Sequence, residues 1–326
     1  MFRQNALHVD GLAIALDDAS SELCFVSHAH SDHTSAFLKR RKIIASDETF
    51  SIMGQEPQRH HLPSSIKFFS AGHMLGALQL YAELDGESFV YTGDFSMSDS
   101  YTCKAGKVIQ CDTLMIDSTY ALPHMRLPPK WQVIGKIRRF VLENQNSIIV
   151  FGAYTKGKTQ ELVKLLNIEC GIAPIVSQRA ACVCRQYEKH GVKLDYIVAG
   201  SEEAEEQMHS SFVAIMPPKM VGFDFGSKLS EAFGREVKTA VATGWAQFTK
   251  FPVDAAFPLS DHADFLDTMR YIYDSGAKKV ICANANEEEA AEHLRRLGIN
   301  AFAKQKAGKE QQLSLLEFQN AKMFKS

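Results

Sequence analysis

In the first third of the chain, apolar positions come in short runs broken by Gly, Asp, Ser and Pro. Residues 12–16, 23–27, 43–46, 66–69, 78–84 and 89–92 follow this rhythm, which predicts strands of a layered sheet. From residue 130 the rhythm changes. Helices are expected over 130–143, 159–166 and 180–189, alternating with strands at 148–151 and 175–177, the order of a small parallel sheet with crossover helices. Past residue 256 the pattern predicts a helix at 265–273, a strand at 280–283 and a helix at 287–297. The last twenty residues are polar and are expected to pack loosely. The simplest architecture is one α/β domain built from both chain ends, 1–120 and 251–326, with a second α/β domain inserted at 121–250.

Composition narrows the class without naming a partner. At 326 residues and 45% hydrophobic, the chain is long enough for one large or two smaller globular domains. No stretch approaches the roughly 18 consecutive apolar residues of a membrane span, and the first residues lack a signal-peptide core. The seven cysteines are scattered and odd in number, as in a reduced, cytoplasmic protein. Net charge is -2, so no global basic field exists. Charge is still uneven, with basic runs at 39–42 and 136–139 and acidic ones at 202–206 and 287–289. Taken singly, each run reads as a solvated face.

Chemistry concentrates after the strand at 23–27, where His28, His30, Asp32 and His33 follow in the pattern HxHxDH. In a loop at a strand end, alternate residues converge on one point, so His28 and His30 can bind one ion. Asp32 and His33 then turn toward a second beside it. Imidazole with carboxylate suits zinc, one or two per chain, and more generally first-row divalent ions such as manganese. His73 lies between glycines in Ser70–Gly76, where backbone can approach a crowded site. Asp94 ends the strand at 89–92, and a carboxylate there can bridge two cations about 3.5–4 Å apart. His60 and His61 read as a surface turn, and His8, His124, His190, His209 and His293 as structural.

HxHxDH, the AGHxxGA segment at 71–77 and TGDF at 92–95, in this order, resemble the signature of the metallo-β-lactamase superfamily. The resemblance implies an αββα sandwich with a metal site at the edge of its two sheets. Asp17, eleven residues before His28, matches an early aspartate that supports the metal loop rather than binding metal.

Three further segments resemble the β-CASP nucleases within that superfamily, most closely DNA-ligase-associated exonucleases and mRNA 3′-end processing factors. Ile116-Asp-Ser-Thr-Tyr-Ala-Leu-Pro123 matches the acidic motif at Asp117, and Pro258-Leu-Ser-Asp-His-Ala-Asp-Phe265 the motif at His262. The segment at 151–162 resembles the opening of the β-CASP insertion, whose helix start and Lys158 could receive a phosphate. One departure stands out. Where RNA-directed members carry a further ligand histidine and DNA-directed ones a valine, this chain has Asn284, a weak zinc ligand, so the second metal is expected either to be loosely held or to fill its coordination with water.

The resemblance implies a nuclease in which divalent cations, near Asp32, supply a nucleophile from water. His262, held and kept protonated by Asp117, serves as general acid. A DNA exonuclease acting in repair is favoured over an RNA-directed enzyme, with a DNA ligase or a processing complex as partner and no membrane. The rivals are RNA 3′-end processing, a small-molecule (thio)ester hydrolase of the same fold, and a catalytically dead scaffold. Intact ligands argue against the last.

Overall fold

The computed structural model describes residues 2–3 and 6–304; the polar tail from 307 onward lies outside the described residues. The chain divides into two compact units, one of residues 1–97, 105–126 and 262–326, the other of 98–104 and 127–261.

The first unit holds two sheets. One has the order β1 (Phe2–Arg3), β2 (Ala6–Val9), β3 (Leu12–Leu16), β4 (Leu23–Phe25), β5 (Lys42–Ile44). The other contains β6 (Ile66–Ser70), β7 (Leu78–Leu84), β8 (Glu87–Tyr91), β9 (Thr113–Asp117), and two strands late in the chain, β16 (Lys279–Ala283) and β17 (Ala301–Ala303). Its order is β17-β16-β9-β8-β7-β6. Strand alternation sorts side chains between layers. Ile14, Leu16, Phe25 and Ile44 join Leu80, Phe89, Tyr91, Met115 and Ile281 in one core between the sheets. Their neighbours Ala15, Cys24, Val26 and Ile43 face outward to Phe37 and Phe50, on helices α1 (Ser35–Leu38) and α2 (Asp47–Met53). Helices α8 (Phe265–Ser275) and α9 (Glu287–Arg296) cover the second sheet at β9 and β16. The unit is an αββα sandwich.

The second unit is built on an all-parallel sheet. Its strands are β10 (Ile148–Gly152), β11 (Ile175–Val176), β12 (Ile197–Val198), β13 (Val213–Met216), β14 (Val237–Ala242) and β15 (Ala255–Phe257), in the order β12-β11-β13-β10-β14-β15. Burial on both faces explains the unbroken apolar run of β10. Ile149 and Phe151 face α3 (Lys130–Glu143), α4 (Lys158–Cys170) and α5 (Gln178–Lys189). Ile148 and Val150 face α6 (Glu202–Met208) and α7 (Phe223–Phe233).

The sequence pattern assigns no element to 113–117, 213–216 or 237–242, where β9, β13 and β14 lie. These runs are short and their apolar and polar residue types do not alternate, so periodicity cannot separate them from helix or loop. No described helix is long and apolar enough to cross a membrane.

Candidate metal centre

The site residues of the first unit gather where strand ends of its two sheets meet. Strands β3 and β4 run parallel, so Asp17 and the loop Ser27–His33 leave the first sheet at one edge. Strands β8, β9 and β16 are parallel too, and deliver Asp94, Asp117 and Asn284 at or just past their carboxyl ends. The antiparallel start of β7 brings His73 to the same edge. Two glycines permit the convergence. A Cβ at Gly93 would stand 2.6 Å from Ser27 Cβ, and one at Gly72, at φ +74°, would stand 2.2 Å from Gly106 N.

Asp17 is the anchor of the histidine loop. Its oxygens accept from Ser27 N and Oγ (both 2.6 Å) and Tyr91 OH (2.8 Å), and pair with His33 Nδ1 at 2.7 Å. Burial opposes its charge, yet His33 and Ser27 hold its pKa below the usual carboxylate value. His33, in turn, is disfavoured as a cation by burial, but Asp17 and Asp94 push it up to about 12. A carboxylate on Nδ1 fixes the imidazole and leaves Nε2 for the centre.

His28, His30, His73 and Asp94 form one group that could hold a metal ion. His28 is fully buried, its Nδ1 lies 2.9 Å from Ser27 Oγ, and its Nε2 has no hydrogen-bond partner. That Nε2 sits 3.4 Å from Asp94 Oδ2, while His73 Nε2 is 3.1 Å from His30 Nδ1 and 3.7 Å from Asp94 Oδ2. Two donors on one tetrahedral zinc, each about 2.0–2.1 Å from it, stand about 3.3 Å apart. The spacing and the orphaned nitrogen both fit a cation. Desolvation and the surrounding imidazoles push His28 well below its ordinary pKa, toward the neutral form a metal requires.

Asp94 Oδ2 also faces a second place. His33 Nε2 lies 3.4 Å from it and 3.6 Å from Asp32 Oδ2. Asp32 belongs to none of the clustered groups, and its side chain is 77% exposed on the rim. His262 Nε2 is 3.8 Å from Asp94 Oδ2, and its Nδ1 is 2.9 Å from Asp117 Oδ2. The other Asp117 oxygen accepts from Thr119 N (3.0 Å), Thr119 Oγ1 (2.7 Å) and Asn284 Nδ2 (3.2 Å). Burial again opposes the charge, while His262 and Thr119 hold the carboxyl below its usual value.

Asn284 does not point an oxygen at the centre. At φ 73° it turns its amide so that Nδ2 donates to Asp94 Oδ1 at 2.7 Å as well as to Asp117. Ser118 fixes this turn by donating to the carbonyls of Ala283 and Ala285, both at 2.7 Å. Ser27, Tyr91, Ser118 and Thr119 were not singled out from sequence. Ser27, Ser118 and Thr119 adjoin motif residues, whereas Tyr91 carries no sequence signal beyond a buried strand position.

Lys158 requires a correction. It is 5% exposed, with Nζ 2.6 Å from Glu161 Oε2 and 2.7 Å from Asp261 Oδ1. Lys130 Nζ adds a contact to Glu161 Oε1 at 3.3 Å. A phosphate cannot reach an ammonium already buried between two carboxylates, so Lys158 is a structural cation of the second unit.

No family model matches the chain. A protein of Opitutus terrae named "Probable DNA ligase" is 29% identical over 316 residues, 89% of this chain and 29% of that protein. An RNase J-like protein of Methanocaldococcus jannaschii is 28% identical over 190 residues, 47% of this chain and 45% of that one. This chain thus spans less than half the length of either relative. Among solved structures, a protein of unknown function from Enterococcus faecalis V583 shares the fold, with TM-score 0.56, 15% identity, and coverage of 82% and 76%. By its ordered motifs, its sandwich and these relatives, the chain is a homologue of the metallo-β-lactamase nucleases of the β-CASP branch.

Proposed function

We propose that this chain is a metal-dependent nuclease that hydrolyses phosphodiester bonds in DNA, with its second unit as the inserted β-CASP domain. The observation that carries the reading is the His262–Asp117 pair, bonded at 2.9 Å with His262 Nε2 3.8 Å from Asp94. An activated thioester needs little protonation of its leaving group; an unactivated phosphodiester needs it, and a hydrogen-bonded imidazole at the centre supplies it. Zinc, one to two ions per chain, suits the imidazole and carboxylate donors, with manganese as a substitute. When bound, such cations draw a nucleophile from water near neutral pH and offset charge on the phosphoryl oxygens.

The chain's own residues divide the remaining work. His28, His30, His73 and Asp94 hold the first cation; Asp94, His33 and Asp32 face the place of the second. Asp117 fixes the His262 ring through Nδ1, so the proton on Nε2 is the one offered to the leaving oxygen. Asp17 and Ser27 orient the histidine loop.

DNA is favoured because the relative aligned over 89% of this chain is named as a DNA ligase. End trimming ahead of ligation, with a ligase as partner, is the reading that this likeness supports. RNA processing is the second reading, favoured by the RNase J-like relative. Seven free cysteines suit a reducing compartment such as the cytoplasm. Matched single-stranded DNA and RNA oligonucleotides, labelled at each end, decide the substrate in zinc or manganese at low salt. Stepwise shortening of DNA supports the assignment; RNA cut about tenfold faster with internal products overturns it.

A further inference from the structure

The second unit places its loops in an order that the sequence conceals. All strand pairings in its sheet are parallel, so every strand ends at the same edge. Four neighbouring strands, β11, β13, β10 and β14, open there into residues 177–179, 217–222, 153–157 and 243–250. Each stretch contributes one cation, respectively Arg179 (the second residue of α5), Lys219, Lys156 and Lys250; the nearest carboxylates that follow Lys219 and Lys250 are Asp224 at the start of α7 and Asp254, which accepts from Thr239. Arg179, Lys219 and Lys250 are exposed, and Lys156 is half-buried. Along the chain these residues are scattered between 156 and 250. Only the crossover topology lines them up, over about 14 Å at the usual 4.8 Å strand spacing.

Apolar surface is interleaved with the charge. Tyr154 and Met220 are each 52% exposed, and Trp245 and Phe248 are partly so. The track has a clear end, because the strand beyond β11 is β12, whose helix α6 opens with Glu202, Glu203 and Glu205. Lys156 is held below the usual ammonium range by desolvation and by the charge of Arg179. Both residues lie at the carboxyl edge of the parallel sheet, the edge where open α/β sheets bind ligands.

We propose that this edge is a track for a single-stranded nucleic acid, its cations following the phosphates and Tyr154 stacking on a base. This rests on the nuclease reading for the identity of the polyanion. A folded acidic partner is less suited, because cations on neighbouring loops beside the exposed ring of Tyr154 match a repeating phosphate with an unstacked base.

The test measures binding without catalysis. The intact chain, in EDTA, is titrated into a dye-labelled single-stranded dodecamer and followed by anisotropy across a salt series. Lys156→Glu/Arg179→Glu and Lys219→Glu/Lys250→Glu should each weaken binding about tenfold or more. Each should also flatten the slope of log K against log salt by about 1.4, two phosphates at about 0.7 each. Tyr154→Ala should weaken binding at least about fivefold with an unchanged slope. Lys189→Glu, the same charge reversal at the far end of α5, should bind as the parent does. Circular dichroism melts identify any variant that fails to fold, and the milder Lys156→Gln/Arg179→Gln then replaces it. Unchanged affinity in both double variants, equal loss in Lys189→Glu, or competition by polyglutamate as strong as by the oligonucleotide overturns the track. A parent that cleaves DNA while the double variants bind normally sinks the track alone. A parent whose binding depends on the track but which hydrolyses no phosphodiester sinks the nuclease reading alone.

Discussion

Asp94 divides its oxygens: Oδ1 accepts the Asn284 amide at 2.7 Å, and Oδ2 faces the imidazoles of His28, His33, His73 and His262 at 3.4–3.8 Å. His30→Ala and Asp94→Ala should therefore strip most bound metal and all hydrolysis, measured by elemental analysis alongside turnover. Asn284→Ala removes an orienting bond but no donor to the cation. Metal stoichiometry should hold near the parent value while chelator competition shows weaker retention; Asn284→His should add retention of the second ion. His262→Ala should slow DNA hydrolysis about a hundredfold or more, yet cost far less on an aryl phosphodiester with a good leaving group. Equal losses on both substrates would make His262 a ligand instead of an acid. At this scale the candidate cluster was legible, because HxHxDH after an apolar strand concentrates donors within six residues. The fate of Lys158 was not, because Glu161 and Asp261, which bury it, are 100 residues apart in sequence.

Helix starts do double duty in this fold. Asp264 is the N-cap of α8, its side chain accepting from Asp267 N at 3.1 Å, and it stands two residues after His262. Asp264→Ala should cost about 1 kcal/mol, within the usual 0.5–2 range for a lost cap, read by denaturant unfolding. It should also reduce DNA turnover by loosening the His262 backbone. The residue pattern Ser-Asp-His-Ala-Asp thus serves as a helix start and a site motif at once. Gly72 is the sharper case. Gly72→Ala must move Gly106 backbone, at about 1–3 kcal/mol for overpacking, and adopt a positive φ at about 1–2 kcal/mol more. Because His73 is adjacent, metal retention should fall with stability. Strand ends were read correctly where alternation or flanking turns marked them, as at β3 and β7, and missed where a short buried run carries no period, as at β13 and β14.

At the scale of the whole molecule, each unit packs around apolar cores of its own. The first packs two sheets through one apolar core; the second adds the buried Lys158–Glu161–Asp261 cluster. Burial raises the Glu161 carboxyl, whereas Asp261, against burial, is held down to about 2 by Lys158. Lys158→Ala leaves both carboxylates buried without that ammonium and should destabilise by about 3–5 kcal/mol at pH 8. In the variant their folded pKa values rise above the unfolded ones, so the folded state binds the extra proton and regains stability as pH falls. The deficit against the parent should accordingly be smaller at pH 5 than at pH 8; a deficit constant with pH would show that packing, not charge, is what Lys158 provides. By itself the sequence determined the α/β class, the ligand loop and the ordered motifs, since these are local: periodicity and short-range spacing survive in one dimension. Tertiary structure alone decided which carboxylate oxygen each donor meets, that Asn284 donates to two acids, that Lys158 is sealed away, and that four distant cations share one sheet edge. Those depend on strand order and register, which bring together residues whose separation along the chain carries no trace of their contact.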